Sequence, residues 1–336
     1  MKLNDMAQNP MTTSLDQLSS DAAAWIVHNV APLRAAPDGD SEQVSQAILG
    51  DCVIWLDERD NYVRVRMTDG YEGWVWHEHL RMIHSVPGAA GRGWVESLRD
   101  ETSVIHYVSC GITDLYGSPT ESETRITKLV LGTRLRVLGT WFAVHDNTRA
   151  GREPHLKVET PFVEPGESVE TTTIGYVAAR DTMPGALDGY QGGYSGAAAC
   201  ALALRFVGTP YLWGGTTPFG FDCSGFVQRI YGMLNVPLPR DAYLQARASQ
   251  GVTLTPDRTL EAGDLIFFCG RSDPHQRGIT HVGMALDEER FIHAYGKRGV
   301  VITRFDDPSC RTRYTYVSAW RCGASSETSS DVSICV

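Results

Sequence analysis

The chain has 336 residues, 42% of them hydrophobic and 21% charged, which is the composition of a globular protein too long for one ordinary domain. A formal net charge of −10, a pI near 5.5 and the lack of any basic run argue against nucleic acid or an anionic membrane as a partner. The longest nearly apolar stretch, Ala197 to Val207, is interrupted by Arg205 and is about half the ~20 residues a membrane-spanning helix needs, so no membrane partner is expected.

Residues 1–24 are polar and unpatterned apart from Leu15 and Leu18, and predict a disordered leader. They lack a basic start followed by an apolar core, so no secretory signal is read and a cytoplasmic location is expected. Export is the alternative if the amino terminus has been trimmed. From 25 to 85, β-rich runs such as Val53-Ile54-Trp55-Leu56, Tyr62-Val63-Arg64-Val65-Arg66 and Trp74-Val75-Trp76 alternate with turn signals at Asp60-Asn61 and Asp69-Gly70. They predict a small β-barrel. Residues 92–182 repeat the grammar: both copies carry an apolar run closed by glycine (Ala47 to Gly50, Leu129 to Gly132) and end in Gly-aromatic-Val (Gly73-Trp74-Val75, Gly175-Tyr176-Val177). The stretch from about Asp146 to Thr172 is expected to be a polar insertion, a surface hairpin or mobile loop.

Met183 to Tyr194 reads as a linker into a domain spanning 195–322. There the pattern is helical first, over Ala197 to Val207, from Cys223 onward, and over Asp241 to Ala248. Strands follow, at Asp264 to Phe268, His281 to Leu286, Arg290 to Ala294, Val300 to Thr303 and Tyr314 to Val317. Helices before a mostly antiparallel sheet make an α+β fold. Residues 323–336, rich in Ser, predict a disordered tail.

Cys223 draws the most attention. It stands where a Gly/Pro-rich loop, Tyr211 to Gly220, meets an amphipathic helix whose apolar residues Phe226, Val227, Ile230, Tyr231 and Leu234 share one face. At a helix amino end, unpaired N–H groups and the dipole favour thiolate, so a lowered thiol pKa is expected, and the same N–H groups suit an oxyanion. A thiolate needs a base, and the base needs an orienting group. His281 and His293 lie on strands joined by the Asp287-Glu288-Glu289 turn, a hairpin spacing that brings two side chains together on one face. A lone histidine on a strand is usually structural; two of them with a helix-terminal cysteine read as a Cys/His/His triad. His275 is read as a loop histidine. The eight cysteines (Cys52, Cys110, Cys200, Cys223, Cys269, Cys310, Cys322, Cys335) form no C-x-x-C pair and no zinc spacing. No metal or cofactor is expected, and most of the thiols read as reduced packing residues.

Residues 195 to about 320 resemble the NlpC-type cysteine peptidases, papain-like enzymes that cut peptidoglycan peptides. The resemblance is carried by Tyr211-Leu212-Trp213-Gly214-Gly215, Asp222-Cys223-Ser224-Gly225-Phe226, Leu238-Pro239-Arg240, Gly263-Asp264-Leu265, His281-Val282-Gly283 and Ile292-His293-Ala294. The repeated barrels look like bacterial SH3-like domains, and the whole arrangement is similar to γ-D-glutamyl-L-diamino-acid endopeptidases. That resemblance implies Cys223 as nucleophile, His281 as base, His293 as orienting residue and Tyr211 beside the oxyanion site. It implies a murein peptide substrate with a free amino-terminal L-Ala, held by Asp241, with Asp222 and Ser224 as further contacts and Tyr116 and Glu78 on the SH3-like side. One departure is Ala242, where the subgroup often has serine. An amidase or acyltransferase, or a lytic hydrolase of intact wall, is the alternative.

Overall fold

A computed structural model describes residues 22–82, 102–142, 154–162, 172–185, 193–247, 251–254, 259–270, 278–308 and 314–322. Most of the expected leader, the loop at 86–91, much of the expected insertion, part of the linker, His275 and the tail lie outside the described residues.

Residues 23–82 form a seven-stranded antiparallel sheet, and residues 104–185 form a second with the same strand order. In each, the third strand of the domain is at one edge and the seventh at the other, and the first pairs with the fourth. The internal repeat is therefore a repeat of topology. Alternation explains the strands: in Tyr62–Arg66, Val63 and Val65 are buried while Arg64 and Arg66 face water. The first barrel begins at Ala23, two residues before the expected boundary, because Ala23, Ala24 and Trp25 pair with Ile54, Val53 and Cys52.

The expected polar insertion needs a larger correction. Pro154–Thr160 is a central strand of the second barrel, paired on both sides, with Leu156, Val158 and Thr160 buried and Lys157 exposed between them. It is the topological counterpart of Tyr62–Arg66. Thr182–Gly185 closes the same barrel and runs into the expected linker.

In the last domain, helices α1 (Gly196–Leu204), α2 (Cys223–Gly232) and α3 (Ala242–Gln245) precede strands β1 (Gly251–Leu254), β2 (Leu265–Gly270), β3 (His281–Ala285), β4 (Arg290–Tyr295), β5 (Gly299–Arg304) and β6 (Tyr314–Cys322). The sheet is antiparallel in the order β1-β6-β2-β3-β4-β5. Strand β1 has no counterpart in the sequence reading, and α3 is a single turn where a longer helix is expected.

Helix α2 lies against β3 and β4. Its buried Phe226, Val227, Ile230 and Tyr231 share a core with Val282, Met284, Ile292 and Trp320. Each such side chain contributes about 1.5–3 kcal/mol of burial, so the start of α2 is fixed by packing rather than by helix propensity. The same core includes Trp25 and Val27 from the first barrel and Ile105, Tyr107 and Leu131 from the second. The three domains are packed together. Among the described residues, no helix is long and apolar enough to cross a membrane.

Candidate active site

Cys223 is the first residue of α2. Asp222 caps the helix, its Oδ1 accepting from Gly225 N at 2.7 Å. Asp222 Oδ2 accepts from Gly214 N at 3.0 Å, which ties the glycine loop to the helix start. Glycine is required at Gly225 by close approach, since a Cβ there would lie 2.2 Å from Gly215 O. At Gly214, φ is +72° and a Cβ would lie 2.4 Å from Gln43 O of the first barrel. The backbone of Tyr211 bridges Phe221, and Leu212 N donates to Phe221 O at 3.1 Å, which brings the Tyr211 segment alongside the residues leading into Cys223.

On the facing sheet, His281 and His293 come together across the β3–β4 hairpin. His281 Nε2 and His293 Nδ1 are 2.7 Å apart, and His293 Nε2 lies 2.9 Å from Thr303 Oγ1 on β5. When His281 donates through Nε2 and His293 through its own Nε2, His281 Nδ1 carries the lone pair that a base needs. Thr303 thus extends the expected triad. It escaped the sequence reading because only the β4–β5 pairing brings it beside His293.

Burial governs the protonation states. It pushes the Cys223 thiol up to about 12, with the charge of Asp222 adding to the rise, while the Val282 N–H, the Arg240 charge and the Ser224 N–H oppose it. The expected lowering by the helix terminus is therefore overridden. Burial also pushes His281 down to about 3, and pushes His293 well below the ordinary range, the charge of His281 adding to the effect. Each charge taken alone is disfavoured, so burial favours the neutral thiol and the neutral imidazole.

A stability consequence follows. Unfolded histidines titrate near 6.5, so as the pH falls the unfolded chain takes up protons first. The stability held by the neutral rings is complete above about pH 6.5 and is lost as pH falls below it, for His281 toward about 3, at up to about 1.4 kcal/mol per pH unit per ring. Urea denaturation at pH 7 and pH 5 should show a smaller loss in His281→Gln/His293→Gln than in the wild type. Equal losses would contradict the buried neutral pair.

His293 itself gives a second expectation. His293→Asn should keep roughly tenfold more activity than His293→Ala, because an amide can still accept from His281. Equal rates in a peptidase assay would remove its orienting role.

Asp222 and Ser224 are both buried and are gripped by Arg240 of the catalytic domain. Arg240 donates to both carboxylate oxygens of Asp222 and to Ser224 Oγ. Expected as substrate contacts, they bond through their side chains to one another, to Arg240 and to the start of the helix that carries Cys223. Asp241 precedes α3, and its backbone oxygen accepts from Leu244 and Gln245. The charge of Asp241 is felt by Tyr71 of the first barrel. Burial first, then the charge of Asp241, with Asp222 further down, push the Tyr71 phenol up to about 12.

Tyr116 and Glu78 sit in different company. Tyr116 is on the second barrel, its hydroxyl donating to Asp114 Oδ2 at 3.2 Å, and Glu78 is exposed on a turn where its carbonyl accepts from Arg81. On the first barrel it is Tyr71 whose phenol feels the charge of Asp241. The signal for it was the Asp69-Gly70 turn, which the sequence reading used only as punctuation. Among the described residues, no group of three or more His, Cys, Asp or Glu converges as metal ligands do, and Cys52, Cys110, Cys200, Cys223, Cys269 and Cys322 are free thiols.

A cysteine at a helix start facing a histidine pair on an antiparallel sheet defines a papain-like thiol hydrolase site. The profile of the NlpC/P60 family matches residues 208–319, and that of the bacterial dipeptidyl-peptidase SH3 domain matches residues 33–80. A Bacillus cereus protein named gamma-D-glutamyl-L-lysine dipeptidyl-peptidase is 38% identical over 279 residues, covering 80% of this chain and 73% of that protein. A Bacillus subtilis protein of the same name is 43% identical, but the match spans 26% of this chain and 28% of that protein. A crystal structure of an NlpC/P60 family protein from Bacillus cereus has the same fold, with a TM-score of 0.68 at 23% identity, over 89% of this chain and 99% of that one. The chain belongs to the NlpC/P60 family of peptidoglycan peptidases and is a cysteine peptidase.

Proposed function

We propose that the protein hydrolyses the γ-D-glutamyl–L-diamino acid bond of murein peptides that carry a free amino-terminal L-Ala, releasing L-Ala-γ-D-Glu. The observation that carries this reading is that the elements around Cys223 are bonded directly to the first barrel, through Arg240 to Ser45 and through Gln228 to Asp69, with Tyr71 of that barrel close enough to Asp241 to feel its charge. Such a junction suits a short substrate ending in an ammonium group, because a buried ammonium needs a carboxylate partner. The names of the Bacillus relatives point to the same bond.

In this reading Cys223 Sγ attacks the γ-carbonyl carbon of D-Glu as its proton passes to His281. Backbone N–H groups at the start of α2, with Tyr211, hold the oxyanion. His281 then protonates the departing amine of the diamino acid, and water, deprotonated by His281, hydrolyses the thioester. His293 and Thr303 keep the His281 ring oriented. The stem peptide of intact wall is amide-linked at its amino end to a muramyl group, so the site favours free peptides and a cytoplasmic recycling role. Rates on free tripeptide and on purified sacculi test this: free peptide should be cleaved at least about a hundredfold faster. Comparable rates would mark a lytic wall hydrolase.

A further inference from the structure

Arg240 is almost fully buried, and its guanidinium joins two domains. Nη1 donates to Asp222 Oδ1 at 3.1 Å and to Ser224 Oγ at 2.9 Å, Nη2 donates to Asp222 Oδ2, and Nε donates to Ser45 Oγ at 3.0 Å. Asp222 and Ser224 flank Cys223 in the chain, whereas Ser45 belongs to the first-barrel strand Gln43–Ile48. We propose that Arg240 is a positioning residue for the nucleophile and that Ser45 completes its cradle, so that the first barrel sets the geometry and reactivity of Cys223 besides walling the cleft. This rests on Cys223 being the nucleophile.

The geometry supplies the reason. A guanidinium is planar, and its donors leave in fixed directions, so binding Ser45 on one edge aims the other edge at Asp222 and Ser224. The aimed edge holds the carboxylate that caps α2 and ties down the Gly214 loop. Arg240 also neutralises that carboxylate. Asp222 and Arg240 act on the Cys223 thiol in opposite directions, the first against thiolate and the second for it. The other ionisable groups around Arg240 include Tyr71, Asp241 and Asp69, and the imidazole of His281 stands on the sheet that faces Cys223.

The same seam continues on both sides of Arg240. Gln46 Oε1 accepts from Thr216 N at 2.9 Å and from Thr217 Oγ1 at 3.1 Å. Gln228, on α2, donates to Asp69 Oδ2 at 2.8 Å and to Leu238 O at 2.9 Å. Here polar groups of the barrel are satisfied by the loop and helix that carry the nucleophile.

The test compares full-length wild type, Ser45→Ala, Arg240→Lys and Arg240→Gln in two assays. One is kcat and KM on the free tripeptide; the other is the rate at which iodoacetamide alkylates Cys223 at pH 8, read from the mass of its peptide. Arg240→Gln should lower both kcat and the alkylation rate about tenfold or more, with KM within about twofold. Arg240→Lys, which keeps the charge but not the fork, should recover the alkylation rate but not kcat. Ser45→Ala should lower kcat severalfold with KM unchanged.

An arginine with only a structural role would loosen the site when replaced, and Cys223 would then alkylate as fast as in the wild type or faster. That result, or a rise in KM alone, overturns the proposal. Should both Arg240 variants fail to fold, Ser45→Ala decides, and an unchanged kcat in it overturns the proposal. Alkylation needs no peptide, so an error in the substrate leaves this readout intact. An error in the nucleophile appears separately, as activity surviving Cys223→Ala.

Discussion

Cys223→Ala is expected to lower kcat/KM by about four orders of magnitude or more while the protein keeps its fold. The side chain is buried at the first turn of α2, but the helix is held by Phe226, Val227, Ile230 and Tyr231, none of which depends on the sulfur. Deleting one sulfur costs about 1 kcal/mol, far less than the removal of a large core side chain. His281→Ala should be nearly as damaging, because in the proposed mechanism the ring bonded to His293 takes the thiol proton. Circular dichroism and thermal melting of both variants check the fold, and a peptide-release assay checks the rate. A folded Cys223→Ala protein with wild-type activity would end the assignment.

Acetylating the amino terminus of L-Ala-γ-D-Glu-L-diamino acid is expected to lower kcat/KM by about a hundredfold or more. Two effects combine. In the proposed reading the blocked amine loses the positive charge that the Asp241 carboxylate would hold, and the acetyl group adds bulk on the side where the first barrel stands. Asp241→Asn should lower kcat/KM on the free peptide by about one to two orders of magnitude and should not rescue the acetylated one, because the barrel remains in place. A variant that gained activity on the acetylated peptide would show that charge alone, without the wall, sets the preference.

How far the chain could be read before its structure was known depended on whether the signal was local. The cysteine helix was legible because Cys223 and the apolar stripe behind it are contiguous and follow local rules, whereas its cap, Asp222, read only as a substrate contact. The histidine pair was legible because a hairpin turns sequence spacing into contact. The antiparallel sheet and the doubled barrel followed from alternation and turns. The strand Pro154–Thr160 was hidden because its buried Leu156 and Val158 are set among charged and polar residues, and because its partner strand shifts register between Val137 and Gly139.

What remained out of reach was everything set by contact between domains. Arg240 read as part of a motif, yet its partner Ser45 lies in another domain, and nothing in either local stretch announces the bond. The barrel side of the substrate site was read at Tyr116 and Glu78, and Tyr71, whose phenol feels the charge of Asp241, was not singled out, since barrel loops show no outward sign of which one faces a neighbour. The thiol pKa was expected to fall because a helix terminus is visible in sequence. It rises because burial, which outweighs the terminus, is not.

The central claim is that Cys223 cuts one particular bond, and product analysis tests it most directly. Wild type and Cys223→Ala are incubated with L-Ala-γ-D-Glu-L-diamino acid, and the products are resolved by mass spectrometry. The account predicts L-Ala-γ-D-Glu and the free diamino acid from the wild type, in equal amounts, and intact tripeptide from the variant. Release of free alanine by the wild type, or the same dipeptide from Cys223→Ala, would contradict it.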